Sequence, residues 1–365
     1  MRTVCDRDMC SGCMACVNVC KKNAISICDD LKAYNAQIDE TKCVNCELCK
    51  KVCPNENPLK KSSPILWKEG WSDNSHIREL SSSGGIASEL ICSFIESGGY
   101  VASCLFEEGR FVFKLTDSIQ LARMFAGSKY VKSNPRRVYT EINTKLEMGE
   151  KVLFIGLPCQ VAALKRLAKK QDNLYTVDLI CHGTPSPKLL DMYLQEKSIN
   201  LDDLPDLHFR KKTSFGLRTA GEKITVPKVV DMYTYAFLKA IDYTENCYQC
   251  RYASLDRVSD ITLGDSWGSE MDENEKEKGI SLVLCQTEKG RRMLENARLQ
   301  LFDVDIEKAI QLNHQLKYPT EKTIKRTFFY DNLSNGFEYT MRNLFPDFFI
   351  KNTIKTILYK LGVRR

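Results

Sequence analysis

Two short stretches near the front of the chain alternate apolar and polar positions, AISIC (24–28) and AYNAQID (33–39), with the polar tetrapeptide DDLK between them. This period-two pattern around a turn predicts a β-hairpin. Beyond residue 80 the pattern changes. SGGIASELICSFIESGG (Ser83–Gly99) carries helical spacing between a serine–glycine opening and a closing glycine pair, and YVASCLF with RFVFKLT reads as a strand pair. KVLFIGLP (Lys151–Pro158) is a continuous apolar strand, VAALKRLAKK a helix, and LYTVDLIC (Leu174–Cys181) a second buried strand. ITLGDSWG and GISLVLCQT supply further strands and GRRMLENA a helix. Strand–helix–strand alternation over 151–181 predicts an α/β domain whose sheet is partly parallel and therefore mixed.

Between hairpin and α/β region lies PNENPLKKSSP (Pro54–Pro64), rich in proline, asparagine, lysine and serine, which reads as a linker. The expected division is 1–58, 65–310 and a C-terminal helical basic tail, 311–365. Met341–Arg365 carries six basic residues and one acidic, a balance of +5 within a chain of net charge +6. After Pro346 the tail is helical, with Ile350, Ile354, Ile357, Leu358 and Leu361 along one stripe and Lys351, Lys355, Lys360, Arg364 and Arg365 supplying charge. Such a helix packs on its own domain, docks a partner or lies peripherally on an anionic membrane, and the pattern leaves the three open. Nothing in it resembles a nucleic-acid motif. No apolar run approaches a membrane span, and MRTVCDRDMC has no h-region, so a soluble cytoplasmic protein is expected.

Seventeen cysteines change the picture. In a reducing compartment such density points to metal rather than disulfides. Cys10, Cys13, Cys16 and Cys20 follow C-x2-C-x2-C-x3-C, and Cys43, Cys46, Cys49 and Cys53, followed by Pro54, repeat it 33 residues later. Two-residue spacers let one tight loop present three thiolates to a cube of iron and sulfide, and the fourth cysteine ligates the other cluster. The predicted sets are Cys10, Cys13 and Cys16 with Cys53, and Cys43, Cys46 and Cys49 with Cys20. A zinc site would want two C-x2-C pairs instead. The first 58 residues thus resemble a bacterial-type two-cluster (two 4Fe–4S) ferredoxin, although Lys21 follows Cys20 where that family usually has proline. Cys5 and Cys28 fall outside the motif and read as bystanders.

Four more cysteines stand at strand ends or in a C-x2-C pair: Cys159, Cys181, Cys247 and Cys250. They suit a third 4Fe–4S cluster, a zinc site, or plain buried cysteine. Ser81-Ser82-Ser83-Gly84-Gly85 opens a helix where free amides would meet a phosphate, or is merely a capped loop. Gly264-Asp265-Ser266-Trp267-Gly268 ends a strand, with AGSKYVKS (Ala126–Ser133) as its partner; the two bracket a flat heteroaromatic ring or form ordinary turns. Of four histidines, His182 beside Cys181 is the best-placed acid–base group, against a structural hydrogen-bonding role. Arg210, Lys211 and Lys212 meet an anionic substrate or form a solvated face.

Taken in order, SSGG, AGSKYVKS, VLFIGLPCQVAAL, DLICHGTPSP, NCYQC and DITLGDSWG resemble the β-subunits of coenzyme F420-reducing hydrogenases and dehydrogenases, from about Ser81 to Gly290. GLPCQ and CHGTPSP are the most specific pieces. The resemblance implies an α/β flavin-binding domain with FAD and 4Fe–4S clusters. Electrons would pass between those clusters and a hydride-exchanging substrate, a deazaflavin or another small molecule, with a redox partner protein or reduced ferredoxin as the other party. It further implies flavin contacts at Ser82, Ser83, Gly84, Gly85, Ser128, Lys129, Tyr130, Gly264, Asp265 and Trp267, and iron–sulfur rather than zinc at Cys159, Cys181, Cys247 and Cys250. The expectation is an iron–sulfur flavoprotein oxidoreductase with no catalytic residue assigned. The alternative is a non-catalytic ferredoxin-like electron carrier or adaptor subunit.

Overall fold

The computed structural model describes residues 2–363, so Met1 and the tail arginines Arg364 and Arg365 lie outside the described residues. The expected hairpin is present: β1 (Ile25–Asp29) runs antiparallel to β2 (Tyr34–Ile38), Ile25 opposite Ile38. Each cysteine triplet leads into a five-residue helix, Ala15–Val19 in the first copy and Leu48–Val52 in the second. The backbone repeats as faithfully as the sequence. Gly12 and Met14 hold positive φ (71° and 63°), as do their counterparts Asn45 and Glu47 (54° and 57°). Left-handed residues on either side of the middle cysteine coil the chain tightly enough to point three sulfurs one way.

The remaining strands are β3 (Leu66–Ser72), β4 (Tyr100–Glu107), β5 (Arg110–Thr116), β6 (Val152–Ile155), β7 (Leu174–Leu179), β8 (His208–Lys211), β9 (Ser214–Thr219), β10 (Glu222–Lys223), β11 (Ile261–Asp265), β12 (Ser281–Cys285) and β13 (Leu299–Phe302). Eight of them form one mixed sheet in the order β13-β3-β12-β11-β7-β6-β4-β5. Its centre, β11-β7-β6-β4, is parallel, and antiparallel strands extend it on both sides. Every residue of β6 is buried, as the apolar run predicts for a strand covered on both faces.

Helix Ile86–Glu96 packs its Ile86, Leu90, Ile91 and Phe94 against one face of the sheet. Helices Arg136–Glu147 and Pro158–Leu167 cover the other. Cys13 and Ala15 are part of that second core, so the ferredoxin-like segment is docked on the sheet domain by its first cysteine loop. A separate antiparallel sheet, β10-β9-β8, shares a third core with helices Pro187–Gln195, Met232–Leu238, Ile324–Asn332 and Phe337–Leu344.

Two expectations are corrected, and a third, left open, is narrowed. Pro158, read as the end of a strand, is the first residue of a helix, where its missing N–H costs nothing. The helix at 86–96 is capped by Gly85 (φ 86°) without a serine side chain. The third concerns the tail. Its helix, Pro346–Lys360, packs on its own domain through Phe348, whose ring stacks on Tyr235 at 3.4 Å, and through Asn352, whose Nδ2 donates to the Val230 carbonyl (2.9 Å). Ile350, Ile354, Ile357 and Leu361 are exposed, so the apolar stripe is not the packing face. Among the described residues, no helix is long and apolar enough to cross a membrane.

Candidate functional site

Cys10, Cys13, Cys16 and Cys53 line a single cavity. Cys53 reaches it from the second copy because it caps the helix Leu48–Val52, which carries the chain back towards the first loop. The Gly12 amide donates to Cys10 Sγ and the Asn45 amide to Cys43 Sγ, both at 3.4 Å, the same bond made twice by the repeat. Amide donors aimed at sulfur stabilise negative charge there, as an iron–sulfur site requires. Burial raises the Cys13 thiol to about 11 and pushes Cys16 well above its usual value. Only a strong local positive charge, such as iron, would hold these sulfurs as thiolates at neutral pH. In the second set, Cys43 and Cys46 lie close enough to Cys49 for their charges to raise its thiol, and Cys20, Cys43 and Cys49 pack against one small core. The donor sets fit the clusters expected of them. Cys28 is remote and bonds Asp30, whereas Cys5, read as a bystander, stands in the wall of the first cavity.

The second group of cysteines is brought together by the parallel strands. Cys159 is the second residue of the helix after β6, Cys181 follows β7, and Cys247 and Cys250 sit in and after the short 3-10 turn Glu245–Gln249. Cys181 and Cys250 raise Cys159, and Cys247 and Cys250 raise Cys181 to about 12, with burial the larger cause in both. Among the described residues, no three His, Cys, Asp or Glu side chains close on a single ion. Cys13 of the first set also acts on Cys159, so the two groups are neighbours. Tyr139 Oη lies between them, 3.0 Å from the Cys13 carbonyl and 3.4 Å from that of Gln160.

The candidate flavin loops meet on one arginine. Arg210 makes a bidentate bond to Asp265 (2.7 and 2.6 Å), donates to the Ser82 carbonyl (2.6 Å) and reaches Tyr130 Oη (3.4 Å). The Ser128 amide donates to Ser82 Oγ at 2.9 Å. Gly84 lies so close to the neighbouring strand that a Cβ would come within 2.3 Å of the Gly70 carbonyl, and one on Gly264 within 2.5 Å of Ile180. Glycine is required at both positions by close packing. Ser83 Oγ donates to the Ile280 carbonyl and Gly84 N–H to Ser281 Oγ. Lys129 turns inward to the Phe125 and Ala126 carbonyls, its pKa lowered to about 8 by burial. Trp267 lines a different small cavity with Glu69 and Ser269. Ser82, Ser128, Tyr130 and Asp265 thus form one cluster, with Ser83–Gly85 and Gly264 beside it. The Lys129 ammonium and the Trp267 ring point elsewhere.

The basic run is divided between strand β8, which ends at Lys211, and the turn after it, where Lys212 has a positive φ of 53°. Arg210 and Lys212 face inward, Lys212 donating to the Arg78 and Ser83 carbonyls, while Lys211 is exposed. His182 is exposed along one side, with its Nδ1 2.8 Å from Gln315 Nε2, which also lies 2.9 Å from His314 Nε2. Desolvation of the ring by its packed neighbours, with His314 beside it, lowers His182 to about 4. Two buried cations escaped the sequence reading. Lys132 faces Cys159 and Cys181, and Arg257 faces Cys250. Lys132 lies within AGSKYVKS, whose pattern does not single it out, and Arg257 lies in no motif; only the fold brings them to the cysteines.

Residues 149–305 match the family model for the C-terminal part of the coenzyme F420 hydrogenase/dehydrogenase beta subunit, and residues 9–57 match that of the 4Fe-4S dicluster domain. No curated protein matches the chain. Among solved structures, a chain of the xenon-derivatised F420-reducing NiFe hydrogenase complex from Methanosarcina barkeri is similar in fold, at 19% identity and a TM-score of 0.50, over 76% of this chain and 96% of that one. The chain is therefore similar, over residues 149–305, to the C-terminal part of the coenzyme F420 hydrogenase/dehydrogenase beta subunit and, over residues 9–57, to the 4Fe-4S dicluster domain.

Proposed function

We propose that the protein is a flavin-dependent iron–sulfur oxidoreductase, with two 4Fe–4S clusters in a unit of residues 1–58, a third at Cys159, Cys181, Cys247 and Cys250, and FAD at the loops gathered by Arg210. The observation that carries this reading is adjacency: Cys13 of the first ferredoxin set and Cys159 of the inner set border one core, where Tyr139 donates to the Cys13 and Gln160 carbonyls. Iron–sulfur clusters exchange single electrons, whereas a flavin exchanges either single electrons or a hydride pair, which suits it to the junction between clusters and substrate. The chain's own residues hold the sites in series. Gly12 and Asn45 amides bond ligand sulfurs, Tyr139 joins the two cysteine groups, and Arg210 ties Ser82, Tyr130 and Asp265 into one wall. The substrate class is a hydride-exchanging small molecule, coenzyme F420 or another, and the second party is a redox protein.

Protein prepared without oxygen should contain about twelve irons, since each cluster holds four, with matching sulfide and one flavin that a hydride donor bleaches. The double variant Cys159→Ser, Cys181→Ser should lose about four of those irons. About eight irons in the unaltered chain, with no flavin, would overturn this reading in favour of a ferredoxin-like carrier.

A further inference from the structure

Lys132 is 6% exposed, yet among the described residues its ammonium bonds neutral oxygens and faces a ring. Nζ donates to the Ser11 carbonyl, inside the Cys10–Cys13 loop, and to Thr184 Oγ1, each at 3.1 Å. Thr184 Oγ1 in turn lies 3.8 Å from Cys247 Sγ, and Nζ is 5.2 Å from the centre of the Tyr34 ring. A bridge thus runs from the first ferredoxin loop, through one ammonium and one hydroxyl, to a cysteine of the inner set. The backbone is pinned as well, the Lys132 amide donating to the Pro185 carbonyl (3.0 Å). Gly12 clears the path: a Cβ there would meet Tyr34 at 2.7 Å and Lys132 Cδ at 3.5 Å.

A buried ammonium bonded only to neutral groups is costly unless negative charge is near. A cube ligated by four thiolates is anionic, and its reduction adds one more negative charge. A cation fixed beside such a site favours the reduced form. Lys132 stands between two of them. The remaining set is served differently, by Arg2, whose Nη2 lies 3.0 Å from Cys43 Sγ.

We propose that Lys132 is a positioning cation shared by the first ferredoxin site and the inner four-cysteine site, locking one against the other and raising the reduction potentials of both. This inference rests on the proposed function, which supplies the clusters.

The test is an EPR-monitored redox titration of the full chain, prepared without oxygen, with iron counted in each sample. Lys132→Gln should move two of three cluster potentials to more negative values. The third, the one perturbed in a Cys46→Ser control, should stay in place, and Lys132→Arg should restore the first two towards their original values. A merely structural lysine would alter stability without this two-of-three pattern. Full iron with all three potentials unmoved, or with only one moved, overturns the proposal. If Lys132→Gln does not retain iron, Thr184→Val decides, because it keeps the charge and removes the hydroxyl facing Cys247: a more negative inner potential supports the proposal and an unmoved one overturns it. An unaltered chain without iron would overturn the functional reading too, whereas three intact clusters with unmoved potentials would remove this inference alone.

Discussion

Asp242 is fully buried, and neither of its carboxylate oxygens has a hydrogen-bond partner among the described residues. Burial lifts its pKa to about 8, and Arg326, which instead pairs with Glu245 at 3.2 Å, offsets little of that. The folded value lies far above that of an unfolded aspartate, near 3.9. Protons are therefore retained longer in the folded state, and this group's contribution to stability is fully present below about pH 4 and is lost as pH rises towards 8. Asp242→Asn should abolish this part of the pH dependence and stabilise the protein at pH 9 by about 1–3 kcal/mol. Thermal midpoints of both proteins at pH 6 and pH 9 check it; equal pH slopes would show that the carboxyl finds a partner. The same scale explains why the basic run at 210–212 did not disclose its role. Charge alone says nothing of direction: Arg210 turns inward from β8, Lys212 turns inward from the left-handed turn after it, and Lys211 between them is exposed.

At the scale of elements, apolar periodicity located β6, β7, β11 and β12 because each is covered on both faces by helices or loops and needs an unbroken apolar run. It missed β3, whose sequence LWKEGWS carries charge in its middle. There Glu69 is buried because the hydroxyls of Ser266 and Ser269 bond it, and Gly70 admits the Gln300 carbonyl. The tail helix shows the opposite error. Its apolar stripe is exposed, and it is held by an aromatic stack and one asparagine from the other face. Phe348→Ala should cost that contact about 1–3 kcal/mol, on the scale of a partly buried aromatic. Limited proteolysis should then clip the helix Pro346–Lys360 faster, with iron content unchanged; an unaltered digestion rate would mean that Asn352 alone anchors it.

For the molecule as a whole, the decisive feature is the docking of the cysteine repeat on the sheet domain. Asp29 accepts from Ser186 Oγ (2.6 Å), the Lys32 carbonyl accepts from Arg326, and Tyr139 reaches the Cys13 carbonyl from within a fully buried site. Tyr139→Phe removes one hydrogen bond across this interface and should lower stability by about 0.5–1.5 kcal/mol. If the proposed flavin is present, stopped-flow measurement should show slower passage of electrons to it from the ferredoxin-type clusters; an unchanged rate would mean that this hydroxyl plays no part in the alignment. The cysteine spacing and strand–helix alternation were legible in the sequence by themselves, because ligand loops and amphipathic elements are local and repeat at short fixed intervals. The wall of the first cavity at Cys5, the gathering of three loops by Arg210 and the bridging position of Lys132 belong to the tertiary structure. Their partners lie tens to more than a hundred residues away, so only the packed sheet brings them within hydrogen-bond reach.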